Sequence, residues 1–102
     1  MGAYIARHEA FTTNNDTVFG EWQSVSGGEP VYVVYSYGYH FPMYVYAEDQ
    51  WFQSDAHYSS TTSRHMSYAY PGKTTVVTME QLQYMIRRGY TVMVSELLRG
   101  HI

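Results

Sequence analysis

A chain of 102 residues has room for one small domain and excludes a multidomain enzyme. The absence of cysteine excludes disulfides and thiolate metal sites and suits a reducing cytosol; hydrophobic residues at 45% against charged ones at 15% describe a soluble folded chain, with no apolar run near the roughly 20 residues that span a bilayer. The net charge of −3 is split, because residues 1–56 set one arginine against seven carboxylates, for −6, while residues 57–102 set five cations against two carboxylates, for +3.

Residues 1–16 read as a loosely ordered N-terminal arm that ends in the turn-forming cluster Thr12-Thr13-Asn14-Asn15-Asp16, and residues 17–102 as a single domain. The first residues, Met1 to Arg7, lack the long apolar stretch of a secretory signal and carry no convincing lipidation motif. A first strand is predicted over residues 17–26, with Gly20 permitting a bulge or a close approach, and Ser26-Gly27-Gly28-Glu29-Pro30 forms a turn. Residues 31–39 are dense in β-branched and aromatic side chains. The alternation places Val31, Val33, Tyr35, Tyr37 and Tyr39 on one face and Tyr32, Val34, Ser36, Gly38 and His40 on the other, which marks a central strand. Pro42 breaks it, residues 43–46 resume as a strand, Glu48-Asp49 turns the chain, and residues 51–53 form a third strand of a meander.

Five consecutive hydroxyl residues, Ser59 to Ser63, can cap a helix that runs on to Tyr70 and ends at Pro71-Gly72. Residues 73–77 read as a strand. Thr78 with Gln81 three residues on fits a capping box for a helix over residues 79–88. Its buried stripe is Met79, Leu82, Met85 and Ile86, Arg87 and Arg88 suit its negative end, and Gly89 supplies the cap. Residues 90–95, rich in β-branched side chains, are predicted as a last strand, with residues 96–102 adding one frayed helical turn. No repeat and no linker divides the chain. The fold class is α+β, a single small domain whose mostly antiparallel sheet carries one or two packed helices.

Twelve tyrosines exceed what a core can satisfy, since every buried phenol needs a hydrogen-bond partner, so many rings belong at surfaces. Such a surface suits protein interfaces or base stacking; cross-strand aromatic pairing in a sheet explains the same enrichment without a partner. Two stretches concentrate chemistry: Tyr35-Ser36-Tyr37-Gly38-Tyr39-His40-Phe41-Pro42, and Tyr58-Ser59-Ser60-Thr61-Thr62-Ser63-Arg64-His65. Together they resemble a family of small, functionally uncharacterised proteins of phages and other mobile elements with the pattern Tyr-Ser-Tyr-Gly-x-His-Phe-Pro and later Tyr-Ser-x-Thr-Thr-Ser-Arg-His. The resemblance covers residues 35–65, and this chain departs from it with Met66 where the family often has Gln. It implies the cytoplasm of a bacterial host as the site of action.

Read from the residues, Ser59, Thr61, Thr62 and Arg64 at a helix start are candidates to bind an anion. His40 and His65 are candidates for general base and general acid, with Arg64 stabilising developing charge, as a metal-independent ribonuclease requires. Tyr35, Tyr37, Tyr39 and Tyr58 are the candidate interface residues. No metal and no cofactor is expected, because the spacing of His40, His57 and His65 with Asp55 matches no usual ligand set, and the nucleophile elbow, phosphate-cradling glycine loop and catalytic cysteine are missing. The favoured reading is a non-enzymatic accessory protein that binds a host protein, for example an anti-defence inhibitor. The alternative is a nucleic-acid binder or nuclease working through the basic C-terminal half with His40, Arg64 and His65. Self-association through a tyrosine-rich strand edge is a further partnership, and a membrane is not one. The whole reading requires the two stretches, far apart in the chain, to meet in one place.

Overall fold

β-branched and aromatic residues crowd the first half of the chain and build a sheet whose strands are neighbours in sequence order. The computed structural model describes residues 2–13, 18–39, 41–55, 64–67 and 69–101. Strands β1 (Phe11–Thr12), β2 (Val18–Gln23), β3 (Val31–Ser36), β4 (Pro42–Ala47) and β5 (Gln50–Ser54) each pair antiparallel with the next, and β6 (Thr75–Val77) joins the edge of β5 in parallel. The helices are α1 (Gly2–Ala6), α2 (residues 64–67), α3 (Met79–Arg88) and α4 (Tyr90–Leu98). The chain is therefore an α+β domain with a mostly antiparallel sheet, as the order of elements predicts. Among the described residues no helix is long and apolar enough to cross a membrane.

Both faces of the sheet are covered. Every residue of β3 is buried, because Val31, Val33 and Tyr35 look one way and Tyr32, Val34 and Ser36 the other, and a strand apolar on both sides needs a layer on each. On the first face these residues join Val45, Ala47 and Phe52 against Leu82, Met85 and Met93 of α3 and α4. On the second, Val18, Tyr32, Val34, Met43 and Tyr44 pack with Ile5 of α1 and Ala69 beyond α2. Each buried Val, Leu, Ile, Met or Phe among them contributes about 1.5–3 kcal/mol on leaving water.

The capping box of α3 forms as expected: the Gln81 amide donates to Thr78 Oγ1 at 3.0 Å and the Thr78 amide to Gln81 Oε1 at 3.0 Å. At its other end the Ser26 amide, from the β2–β3 turn, donates to the Arg87 carbonyl at 3.1 Å, satisfying one orphan acceptor of the helix end. Gly89, with φ at 96°, redirects the chain straight into α4. The strand predicted over residues 90–95 is thus corrected to helix. β-Branched content argued for a strand, yet Tyr90, Met93, Val94 and Leu97 recur at helical spacing, and Met93 and Val94 reach the first core while Tyr90 packs on Phe52 with ring centroids 5.5 Å apart.

Residues 2–13 of the expected arm are structured. The His8 amide donates to the Ile5 carbonyl at 3.1 Å and the Glu9 amide to that of Tyr4 at 2.8 Å, the paired bonds of a Schellman ending, with His8 in the left-handed position at φ 55°. Beyond it, β1 pairs Phe11 with Gly20 and Thr12 with Phe19; residues 14–16 lie outside the described residues. Gly20 is the close approach its sequence position predicts, because a Cβ there would stand 2.5 Å from Phe11 Cε1 and 2.6 Å from the Tyr32 hydroxyl.

The central strand is shorter than the alternation suggests. β3 stops at Ser36, where Tyr37 turns left-handed at φ 62° and Gly38 follows at φ 123°. Pro42 opens β4 instead of preceding it, and the β3–β4 register shifts between Val34 and Tyr35 to accommodate it.

Two outcomes follow from this packing. Gly20→Ala should cost about 1–3 kcal/mol in urea denaturation, because neither the Phe11 ring nor the Tyr32 phenol can retreat without unpacking a neighbour. Burial, and then the Glu9 charge, pushes the Tyr32 phenol up to about 12. Its proton is held in the folded state and lost in the unfolded state above about pH 10, so stability is flat below that and falls from about pH 10 toward 12. Tyr32→Phe should make that alkaline decline shallower in pH-dependent denaturation.

Candidate functional site

Parallel pairing of β6 with β5 sets the geometry of the site. Two parallel strands cannot be joined by a hairpin, so the chain must leave Ser54, travel back and return at Thr75. The described part of that crossover lies on the second face of the sheet, where Ala69 is buried, Met66 packs on the core, and the Tyr44 hydroxyl donates to the Met66 carbonyl at 2.8 Å. This seats α2 beside the end of β3. Ser36 Oγ and His65 Nδ1 stand 2.8 Å apart, and the Tyr37 and His65 rings are 5.2 Å between centroids. The two stretches singled out in the sequence therefore meet, through Ser36 and Tyr37 from the first and His65 from the second.

The Ser36–His65 pair is not a nucleophile and its base. Ser36 is 0% exposed, so no substrate carbonyl or phosphate can reach its hydroxyl. The bond engages Nδ1 and fixes the imidazole plane of a side chain that is partly exposed. Arg64, one residue earlier, is exposed and, among the described residues, has no carboxylate in ion-pair range. Alongside α2, Tyr44, Gln53, Met66, Ser67 and Tyr70 line an open groove of about 460 Å³.

The β3–β4 turn carries the exposed aromatics. Tyr37, Tyr39 and Phe41 are 52%, 62% and 47% exposed, held by the Ser36 amide donating to the Phe41 carbonyl at 3.0 Å and the Phe41 amide to that of Gly38 at 3.2 Å. Tyr37 does not share the face of Tyr35, because its left-handed backbone swings it toward His65. Tyr39 leans the other way, with its ring 5.2 Å from Phe19 and 5.0 Å from Tyr35, and its phenol is raised chiefly by donating to the Glu21 carboxylate. Tyr35 is corrected as an interface residue: it is buried in the first core, and burial drives its phenol well above the ordinary range.

His40, Tyr58, Ser59, Thr61 and Thr62 lie outside the described residues, so the second histidine of an acid–base pair and the hydroxyl cluster have no described placement. Among the described residues, no three of His, Cys, Asp and Glu are grouped to hold a metal ion. Sequence reasoning missed Ser36 as the partner of His65, and it missed Phe41 and Tyr70 as exposed rings. The signal for Ser36 was its parity with Tyr32 and Val34, which puts a short polar side chain on a buried face and so demands a partner.

Ser36→Ala should remove the ring's anchor at a cost of about 1–2 kcal/mol, and imidazole nitrogen NMR should show the His65 tautomer and ring resonances shifting while those of His101 stay put. With this geometry in place, no family model matches the chain, and neither a curated protein nor a solved structure matches it.

Proposed function

We propose that this chain is a small accessory protein of a phage or other mobile element that works in the cytoplasm of a bacterial host by binding a host macromolecule, a host protein in the first instance, for example as an inhibitor of a defence factor. The observation that carries the reading is the β3–β4 turn, where three large rings, Tyr37, Tyr39 and Phe41, stand exposed on one short, internally bonded loop. Aromatic side chains with few rotatable bonds lose little entropy on contact and bury much area, which makes such a cluster suited to anchor an interface. The Ser36–His65 bond serves this function by bracing the base of the turn against α2.

A second reading, nucleic-acid binding or metal-independent cleavage, is favoured by one feature: exposed Arg64 beside the oriented His65 and the Tyr37 ring would present a cation, a proton-transfer group and a stacking surface together.

The two readings part in one experiment. The tagged protein is used to capture partners from host lysate, with and without nuclease treatment, and is titrated with labelled single-stranded RNA and DNA over a range of salt. Tyr37→Ala with Phe41→Ala should reduce nuclease-resistant capture of a defined host protein about tenfold or more, and Arg64→Ala should leave it nearly intact. Capture lost on nuclease treatment, or RNA binding that weakens with salt and with Arg64→Ala, would transfer the assignment to the second reading.

A further inference from the structure

A different cluster lies at the other end of β3, on the second face of the sheet. Strand register sets Trp22 opposite Tyr32, Tyr32 opposite Tyr46, and Tyr46 opposite Trp51, so four large aromatics form an unbroken row across β2, β3, β4 and β5. They are not a flat platform. Trp22 meets Tyr32 at 61°, Tyr32 meets Trp51 at 79° and Tyr46 meets Trp51 at 58°, which makes them the walls and floor of a box. The box is filled by His8. Its imidazole stacks on Tyr46 at 3.8 Å and 25°, and lies 5.6 Å from Trp51, 5.8 Å from Tyr32 and 6.4 Å from Trp22.

Two carbonyls of the same segment are held by the box itself, since Trp22 Nε1 donates to the His8 carbonyl at 2.8 Å and the Tyr32 hydroxyl to the Glu9 carbonyl at 2.6 Å. Trp22 is 49% exposed, so the box opens to solvent on that side. Its surroundings are acidic: Glu9 follows the plug, although Arg7 pairs with it at 3.2 Å, and the Tyr46 hydroxyl donates to Asp49 at 3.2 Å. His8 occupies the left-handed position that ends α1, where glycine is the usual residue.

We infer that Trp22, Tyr32, Tyr46 and Trp51 form a cage for a methylated ammonium group carried on a lysine side chain of a partner protein, and that His8 is the chain's own occupant, which keeps the cage closed until it is displaced. Four aromatic rings surround the His8 imidazole, three with centroids within 6 Å and Tyr46 stacked on it face to face, and such a cluster attracts an organic cation by the ring quadrupoles. The acidic rim favours a lysine-borne cation over phosphocholine, whose phosphate it would repel. The inference is independent of the β3–β4 turn and of what that surface binds.

Both tryptophans of the chain are in the cage, so tryptophan emission, excited at the red edge where the twelve tyrosines do not absorb, reports on it. The test titrates the full-length chain with Nε-trimethyllysine, tetramethylammonium, phosphocholine and the neutral isostere 3,3-dimethyl-1-butanol. His8→Gly keeps the backbone conformation and vacates the box; it should bind trimethyllysine saturably and about tenfold more tightly than the wild type, with Trp51→Leu in that background abolishing binding. Equal binding of the neutral isostere, tighter binding of phosphocholine, or no saturable binding by folded His8→Gly overturns the inference. If His8→Gly does not fold, the wild type decides: tetramethylammonium chloride, against sodium chloride at equal ionic strength, should move the His8 ring protons toward unstacked positions, and their staying in place overturns it.

Discussion

The constraint on which the rest of this structure depends is the single parallel pairing in an otherwise antiparallel sheet. β6 lies alongside β5 in the same direction, so the chain between them has to cross a face of the sheet and come back. That crossover supplies the layer that buries Val34, Met43 and Tyr44, and it carries His65 to the buried hydroxyl of Ser36. A hairpin at this point would have left the second face half bare and the two conspicuous stretches of sequence unconnected.

The two ends of β3 carry two different aromatic chemistries. Near the end of β3, rings project outward from a left-handed turn and stand exposed, an arrangement suited to contact with another macromolecule. At the start of β3, rings converge inward on a histidine from the N-terminal segment. The strands between them are short, six residues each in β2, β3 and β4, so both features rest on one rigid support. Tyrosine serves both ends because it couples a large apolar ring with a hydroxyl that can close the account of a nearby carbonyl, as Tyr32 does for Glu9 and Tyr44 for Met66.

Buried polar groups do the positioning. Ser36 is buried at the end of β3 opposite Val18, and its bond to His65 selects one placement of α2 among the many that apolar packing would tolerate. On the first face an exposed residue does the tying: the Ser26 amide donates to the Arg87 carbonyl and joins the β2–β3 turn to the joint between α3 and α4.

The sequence by itself determined the elements whose information is local. The Thr78–Gln81 capping box, the apolar stripe of α3 and the doubly apolar pattern of β3 are each written in a few neighbouring residues, and the α+β class follows from the order of the elements; Gly20 was legible only as permitting a bulge or a close approach, and Phe11 and Tyr32 decide which. Where local preference and packing disagreed, the tertiary structure decided: residues 90–95 have strand-like composition but became helix because Gly89 turns them onto a core that Met93 and Val94 complete. The end of β3, the swing of Tyr37 away from Tyr35, the ordering of α1 and β1, the meeting of Ser36 with His65 and the seating of His8 among four rings were legible in no single segment. The last two are contacts between residues that are distant along the chain, and only the closing of the sheet and its crossover brings such residues within a few ångströms of one another.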